Sequence, residues 1–421
     1  MTAASPGRTG GSDVPIDYAP QARAAAIRTA RASYGRLVAV LAAQAGDLAA
    51  AEDALADAFE RALRTWPDTG VPDSPEGWLL AVARNRLKDG WKSAAHRTSR
   101  PLDDAQEVSA VAFVDDDPEA IPDRRLELLF ACAHPAIDAA ARAPLMLQMV
   151  LGFEAVDLAR LYVVSPAAMA QRLVRAKRRI KQLRVPFVVP DRSAVPERLA
   201  AVLDAVYGCF TLAAGSDDPA VRALGGEAEY LAGVLAHLLV DEPEAWSLLA
   251  LITLSRSRER PAGAPYLPLD QQDPDDWDSS SIARGEDALR RAVAAAPGRF
   301  QLEAAIQAVH TDRRRTGRVD WGALETLHRA LLRVAPTIGS RVALAGVVLR
   351  TSGGDAALVL LDAVAGAETD YQPWYAVRAE ALVQAGRVDE ALDALDRAIA
   401  LCTSEPARMY LLNRRREICP S

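Results

Sequence analysis

A chain of 421 residues is too long for a single compact core, and at about 100–200 residues per domain it implies two to four. Hydrophobic residues make up 50% and aromatics only 5%; Ala and Leu dominate, and β-branched runs with period-two alternation are nearly absent, so the expected fold class is all-α. No run of 18 uncharged apolar residues exists, and the start lacks a basic n-region and apolar centre, which excludes a transmembrane helix or signal peptide and leads us to expect a cytoplasmic protein.

The net charge of −7 argues against an evenly spread nucleic-acid surface, because phosphate binding needs Lys and Arg. The charge is, however, unevenly distributed. Residues 158–190 carry eight basic side chains (Arg160, Arg172, Arg175, Lys177, Arg178, Arg179, Lys181, Arg184) and no acidic one, the mark of a segment that meets a polyanion. Residues 101–122 are the opposite, with Asp103, Asp104, Glu107, Asp115, Asp116, Asp117 and Glu119 and no basic residue; they read as an acidic linker.

In chain order, residues 1–20 are rich in Gly, Ser, Pro and Ala and read as a disordered tail. Asp47 is placed to cap a helix whose apolar positions Leu48, Ala51, Leu55, Phe59, Ala62 and Trp66 recur at spacings of three and four, ending before Pro67. Its other face presents Glu52, Asp53, Asp57 and Glu60, a solvated face or an acidic docking surface. After a loop with Gly70, Pro72 and Asp73, Ser74-Pro75 starts the next helix. Leu79, Val82, Ala83 and Leu87 face inward there, while Arg84, Lys88 and Lys92 form a basic stripe.

Beyond the linker, residues 123–183 give three or four helical segments. The segment over residues 154–161, the turn over 162–165 and a helix opening at Ser165-Pro166 have helix-turn-helix spacing. In that last helix Met169, Leu173, Ala176, Ile180 and Leu183 make the inward stripe, and Gln171, Arg172, Arg175, Arg178 and Arg179 point outward. After Pro190 come long Ala- and Leu-rich helices, and the last hundred residues repeat with a period of 34. Ala323, Ala357 and Ala391 share one register, Leu327, Leu361 and Leu395 a second, Ala330, Val364 and Ala398 a third, and Ala345 with Ala379 a fourth. The period and the small residues where paired helices touch are those of tetratricopeptide repeats, most clearly over residues 374–403.

Catalytic and metal signals are missing. Cys132, Cys209, Cys402 and Cys419 have no CxxC spacing and read as reduced; Cys132 and His134 lack two further ligands. His96, His134, His237, His310 and His328 form no spaced cluster, and no GxGxxG, P-loop, HExxH or GxSxG occurs. An enzyme and a cofactor are therefore not expected.

Three segments in this order, residues 52–59 (EDALADAF), 78–86 (WLLAVARNR) and 168–178 (AMAQRLVRAKR), closely resemble the extracytoplasmic-function sigma factors, in the subgroup with a C-terminal tetratricopeptide-like extension. The resemblance runs from about Ala22 onward and implies a domain plan: a region 2 domain over 21–100, the linker over 101–122, a region 4 helix-turn-helix domain over 123–189 and a repeat domain over 190–421. It implies that Glu52, Asp53, Asp57 and Phe59 dock on core RNA polymerase. Arg84, Asn85, Arg86, Lys88 and Lys92 would meet the minus-10 element of promoter DNA, and Ser165, Ala168, Gln171, Arg172, Arg175, Lys177 and Arg178 the minus-35 element. The extension would contact the sigma domains in cis and control them. The chain departs from the subgroup at residues 207–215 (YGCFTLAAG), where relatives usually carry Asn-Glu-Gly-Tyr, and at Ala167 or Ala168, which replaces their usual acidic residue. The competing readings are a helix-turn-helix regulator with one DNA-binding unit and a tetratricopeptide scaffold with a degenerate sigma module.

Overall fold

In a computed structural model, the described residues are 19–97, 124–162, 164–183, 185, 194–216, 218–261, 263–294, 296–363 and 371–418, with the backbone alone at 19, 31, 32, 90–97 and 220. Among them the regular structure is helical, with no strand. The tail over 1–18, the acidic linker, Val364 and Cys419 lie outside the described residues. The chain divides into two compact units, residues 1–198 and 199–421.

The first unit contains α1 (Ala19–Ala45), α2 (Leu48–Thr69), α3 (Pro75–Arg97), α4 (Arg125–Cys132), α5 (Ala139–Leu151), α6 (Ala155–Leu161) and α7 (Pro166–Leu183). Local chemistry sets their starts. The Asp47 carboxylate accepts from the backbone N–H of Ala49 (2.9 Å) and Ala50 (3.2 Å), and the Ser74 and Ser165 hydroxyls accept from Gly77 (3.3 Å) and Ala168 (3.2 Å); each satisfies donors that a first turn leaves unpaired. The expected stop before Pro67 is wrong: α2 runs through it to Thr69. So near the end of the helix the proline forfeits one backbone bond, to the carbonyl of Leu63, a residue exposed to solvent. Gly70, at φ 82°, then closes the helix with its N–H on the Trp66 carbonyl.

Helices α1, α2 and α3 pack mutually, and α4 to α7 form a second group that meets the first along α1/α4, α1/α5 and α2/α7. The approach of α1 to α5 is close enough to require glycine: a Cβ on Gly35 would lie 1.6 Å from the Val150 carbonyl oxygen. Leu79 and Ala83 of α3 are buried as expected, with Trp66 and Trp78 edge to face at 5.5 Å. On α7 the inward stripe is Met169, Leu173, Ala176 and Ile180; Leu183, expected to continue it, is exposed at the last turn.

The second unit begins with α8 (Val195–Ala214), whose first turn carries the division between units, followed by α9 (Pro219–Leu238), α10 (Pro243–Arg256), α11 (Ser279–Arg291), α12 (Arg299–Thr311) and the single turn α13 (Arg313–Thr316). Helix α10 is buried nearly all round, packed by α9, α11 and α12. Its Glu244 carboxylate accepts from the N–H groups of Phe300 (2.9 Å) and Gln301 (3.1 Å), placing a negative charge at the positive end of α12. Successive helices α14 (Trp321–Val334), α15 (Ile338–Thr351), α16 (Gly354–Asp362), α17 (Gln372–Gln384), α18 (Val388–Leu401) and α19 (Glu405–Ile418) each pack on the next.

The 34-residue register falls on α14, α16 and α18. Ala357, Leu361, Ala391, Leu395 and Ala398 are buried, as are Ala345 and Ala379 on α15 and α17. Ala323, Leu327 and Ala330 are only half-buried; α14 is rotated by one residue, and its buried stripe is Leu324, His328 and Leu331.

Candidate nucleic-acid interface

The basic face of α7 comes from its periodicity. With Met169, Leu173, Ala176 and Ile180 turned inward, the positions between them are forced outward. Gln171, Arg175, Arg178 and Lys181 are exposed, as are Ser165 and Ala168 at the amino-terminal end. α6 ends at Leu161, capped at Tyr162, and α7 starts at Pro166. Val174 lies among the cations at 57% exposure, an apolar group on this face that the sequence pattern hides because its neighbours are polar.

Two of the groups expected on the minus-35 element are engaged instead. Arg172 is half-buried, and its Nη1 donates to the Ala140 carbonyl at 3.2 Å, which ties α7 to the first turn of α5. Lys177 is half-buried, and its Nζ meets the Glu52 carboxylate of α2 at 2.7 Å. The side chains of Lys177 and Glu52 are 28% and 17% exposed. A residue expected on DNA and one expected on the polymerase are thus paired, across 125 positions of sequence. Tyr34 of α1 adds to this cluster, its hydroxyl 3.5 Å from the same carboxylate. Burial first, and Glu52 second, push the Tyr34 phenol up, so it stays protonated. Beneath them Cys132 is fully buried, which with the Glu52 charge raises its thiol pKa although Lys177 opposes the shift; this makes it an inert core residue.

On the other expected DNA-facing helix, Asn85 and Arg86 of α3 are exposed, while Arg84 and Lys88 are half-buried. Arg84 Nε donates to Gln44 Oε1 of α1 at 3.2 Å. Arg86 Nε pairs with Asp57 of α2 at 2.5 Å, and this hydrogen bond holds the guanidinium above its ordinary pKa. The side chain of Lys92 lies outside the described residues. On α2, Asp53 and Asp57 are exposed and Phe59 is half-buried. The structure therefore groups Asp57 with Arg86 and Glu52 with Lys177, and leaves Asp53 on open surface. Glu76, unremarked in the sequence, accepts from both Ser33 and Arg36 and fastens the start of α3 to α1; its place in the first turn was visible, its partners were not.

Among the described residues no group of three His, Cys, Asp or Glu side chains is arranged to hold a metal ion, and no helix is long and apolar enough to cross a membrane.

The family described as Sigma-70 region 2 matches residues 30–97, from within α1 to the end of α3. A family of unknown function, DUF6596, matches residues 198–293. Uncharacterized protein R00370 of Rhizobium meliloti is 34% identical over 377 residues, 86% of this chain and 88% of that protein; the two chains belong to one family. Probable ECF RNA polymerase sigma factor SigI of Mycobacterium tuberculosis, in two strains, is 28% identical over 158 residues, 37% of this chain and 54% of that protein. The match to SigI thus spans about half of its length. No solved structure matches the chain.

Proposed function

We infer that this chain, which belongs to the sigma-70 family through its region 2, is an alternative sigma factor of the extracytoplasmic-function type that binds core RNA polymerase and directs initiation at its own promoters. The observation that carries the reading is the pairing of two cationic helices of different origin. Helix α3 lies inside the region 2 match, and we read α6 and α7, which follow each other within a few residues, as a helix-turn-helix. A regulator with one DNA-binding unit has no use for the first, nor for a neighbouring acidic helix.

Roles follow from exposure. Arg86 and Asn85 are the accessible polar groups of α3 and suit the minus-10 element. Gln171, Arg175 and Arg178, exposed on α7, suit base edges and phosphates of the minus-35 element, with Ser165 donating to a phosphate at the helix start. Asp53 and Asp57 on α2 suit the basic clamp of the polymerase. The second unit, a helical array of tetratricopeptide type, acts in cis on the first and contributes to its active form.

The test is reconstitution: purified full-length protein is added to core polymerase and assayed for initiation on a library of upstream fragments from its own genome. Co-elution with core and fragment-specific transcripts are expected. No co-elution and no transcript on any fragment would sink the reading. A chain ended before Val195 is expected to lose most activity in cells at matched protein level; raised activity would make the second unit an inhibitor.

A further inference from the structure

The end of α4 and the turn that leads to α5 gather four arginines and pair none of them with an acid. Arg142 Nε and Nη2 donate to the carbonyls of Ile137 (3.0 Å) and Pro135 (2.8 Å), and Arg179 Nε to that of Ala136 (3.5 Å). Arg172 Nη1 donates to Ala140 (3.2 Å), and Arg198 Nη1, on the last residue of the first unit, to Phe130 (3.2 Å). No ion pair involves any of the four among the described residues. A carbonyl orients a guanidinium but leaves its charge in place. Arg142 keeps three of its five N–H groups uncommitted, and Arg179, which is exposed, keeps four. The acids nearby are Asp138, whose carboxylate accepts from the Ala140 N–H at 3.1 Å and caps α5, and Glu197 of α8. His134, in the same turn, registers the excess: burial first, then Arg198 and Arg142, lower its pKa, with Glu197 opposing and Arg179 adding to the fall.

The turn lies along one flank of α7. Arg172 reaches Ala140 and Arg179, two helical turns later, reaches Ala136, so this backbone runs antiparallel to the helix for about 10 Å. Ala136, Ala139 and Ala140 are exposed there with only methyl side chains, which lets a sugar-phosphate chain approach the guanidiniums. A helix about 10–12 Å across fills a major groove about 12 Å wide, so each flank of α7 would face the phosphates of one strand. On the flank towards α2, Lys177 is held by Glu52. On the flank towards α5 the cations rest on neutral carbonyls, and no partner has to leave before a phosphate arrives.

We propose that Arg142 and Arg179, set on this turn, grip the phosphates of one DNA strand beside the groove that α7 enters, and that they do so while Glu52 and Lys177 remain paired. The inference rests on the reading of α7 as a DNA-facing helix and adds to it a part outside the helix-turn-helix. A phosphate carries no sequence information, so this contact contributes affinity to any duplex. It holds the first unit on DNA before Lys177 is released.

The test is fluorescence anisotropy of a labelled random-sequence duplex with the full-length protein, between about 50 and 200 mM sodium chloride. Wild type is expected to bind, and Arg179→Ala to bind about three- to tenfold more weakly, with the slope of log affinity against log salt smaller by about 0.9, the share of one phosphate contact. Its melting temperature should hold, since the lost bond is long and exposed. Arg315→Ala removes the same charge from the second unit, at an exposed pair with Asp312, and should leave affinity and slope as in wild type. In a Glu52→Ala background Arg179→Ala should weaken binding by the same factor as alone. By NMR, the His134 ring, assigned through His134→Asn, should titrate at higher pH when duplex is bound, because phosphates offset the cations that lower it; a role confined to packing would not move it. Equal affinity and slope in Arg179→Ala and wild type, a loss that shows only with Glu52→Ala, or an unmoved His134 titration would each overturn the proposal. Displacement of the duplex by pyrophosphate beyond that by sulfate at equal ionic strength would overturn it too, making the turn a site for a small phosphate. A wild type that binds no duplex would refute the DNA-facing reading of α7 as well, whereas duplex binding unaffected by Arg179→Ala leaves that reading standing.

Discussion

Glu52 is the position where the contact between the two helix groups of the first unit can be loosened without touching a side chain proposed to bind DNA. Its ion pair with Lys177 is short and largely shielded. Unit charges about 4 Å apart at an effective dielectric of about 20 attract by about 4 kcal/mol, and desolvation and side-chain ordering remove more than half of that. The net contribution to closure is then about 1–2 kcal/mol, a factor of about 5–30 in the balance between closed and open forms. Glu52→Ala leaves Lys177 free for a phosphate, so the variant should bind a promoter duplex tighter by up to that factor. The assay is fluorescence anisotropy of a labelled duplex carrying the minus-35 element, without polymerase, at fixed ionic strength. Glu60→Ala is the control, since it removes one negative charge from the same helix at an exposed pair with Arg64. If the two variants bind alike, Lys177 is not held back by Glu52 and the reasoning fails.

Arg175→Ala, at an exposed position, should weaken duplex binding by about 1–3 kcal/mol if it reads a base and leave the melting temperature unchanged; Arg172→Ala should lower both, because its bond to Ala140 is lost. Equal melting temperatures for the two, followed by circular dichroism, would remove Arg172 from the packing of α7. Gly35→Ala should destabilise the first unit by about 3 kcal/mol, since its Cβ meets the backbone of Val150 rather than a side chain that can move; a wild-type urea midpoint would disprove the close approach of α1 and α5. Acid should weaken the second unit: His310 and His328 sit at about 4 against an ordinary 6.5, both through burial, with Arg258 nearby adding to the shift at His310. Between those values only the unfolded chain takes up the protons, so stability is whole above pH 6.5 and falls towards pH 4, by about 2 kcal/mol per imidazole at pH 5. Thermal melts at pH 7.5 and 5.0 should show a smaller acid loss in His328→Leu than in wild type, and equal losses would refute the assignment.

What the sequence made legible was local. Asp47, Ser74-Pro75 and Ser165-Pro166 announced helix starts because a capping side chain and its backbone partner lie within three residues. The buried stripe of α7 was legible because a helix repeats every 3.6 residues. The 34-residue period marked the paired helices yet missed by one residue on α14, where His328, not Leu327, turns inward. Contacts between distant segments left no such trace. Glu52 and Lys177 each look like surface charges in their own helices, Gly35 looks like a weak spot in α1, and nothing near Arg142 in sequence foretells that Arg179 and Arg198 gather at the same turn.

The arrangement of the first unit bears on how a promoter would be read. Helix α3 packs on α2 and α2 on α7, so two interaxial steps of about 8–10 Å each put the two cationic helices within about 20 Å. Elements centred near minus 10 and minus 35 lie about 25 base pairs apart, or about 85 Å of straight duplex at 3.4 Å per pair. One compact unit cannot touch both. The seam between the helix groups must part for the proposed function to operate, and its composition suits that. At one end stands the Glu52–Lys177 pair, whose members water and phosphate can satisfy separately. At the other, the α1/α5 contact is closely fitted, with Gly35 against the Val150 backbone. A seam that is charged where α7 meets α2 and close-packed where α1 meets α5 yields first at α7. DNA phosphates and the basic clamp of a polymerase would compete for the very charges that hold it shut, Lys177 on one side and Glu52 on the other, so that engaging either partner releases the group needed by the second.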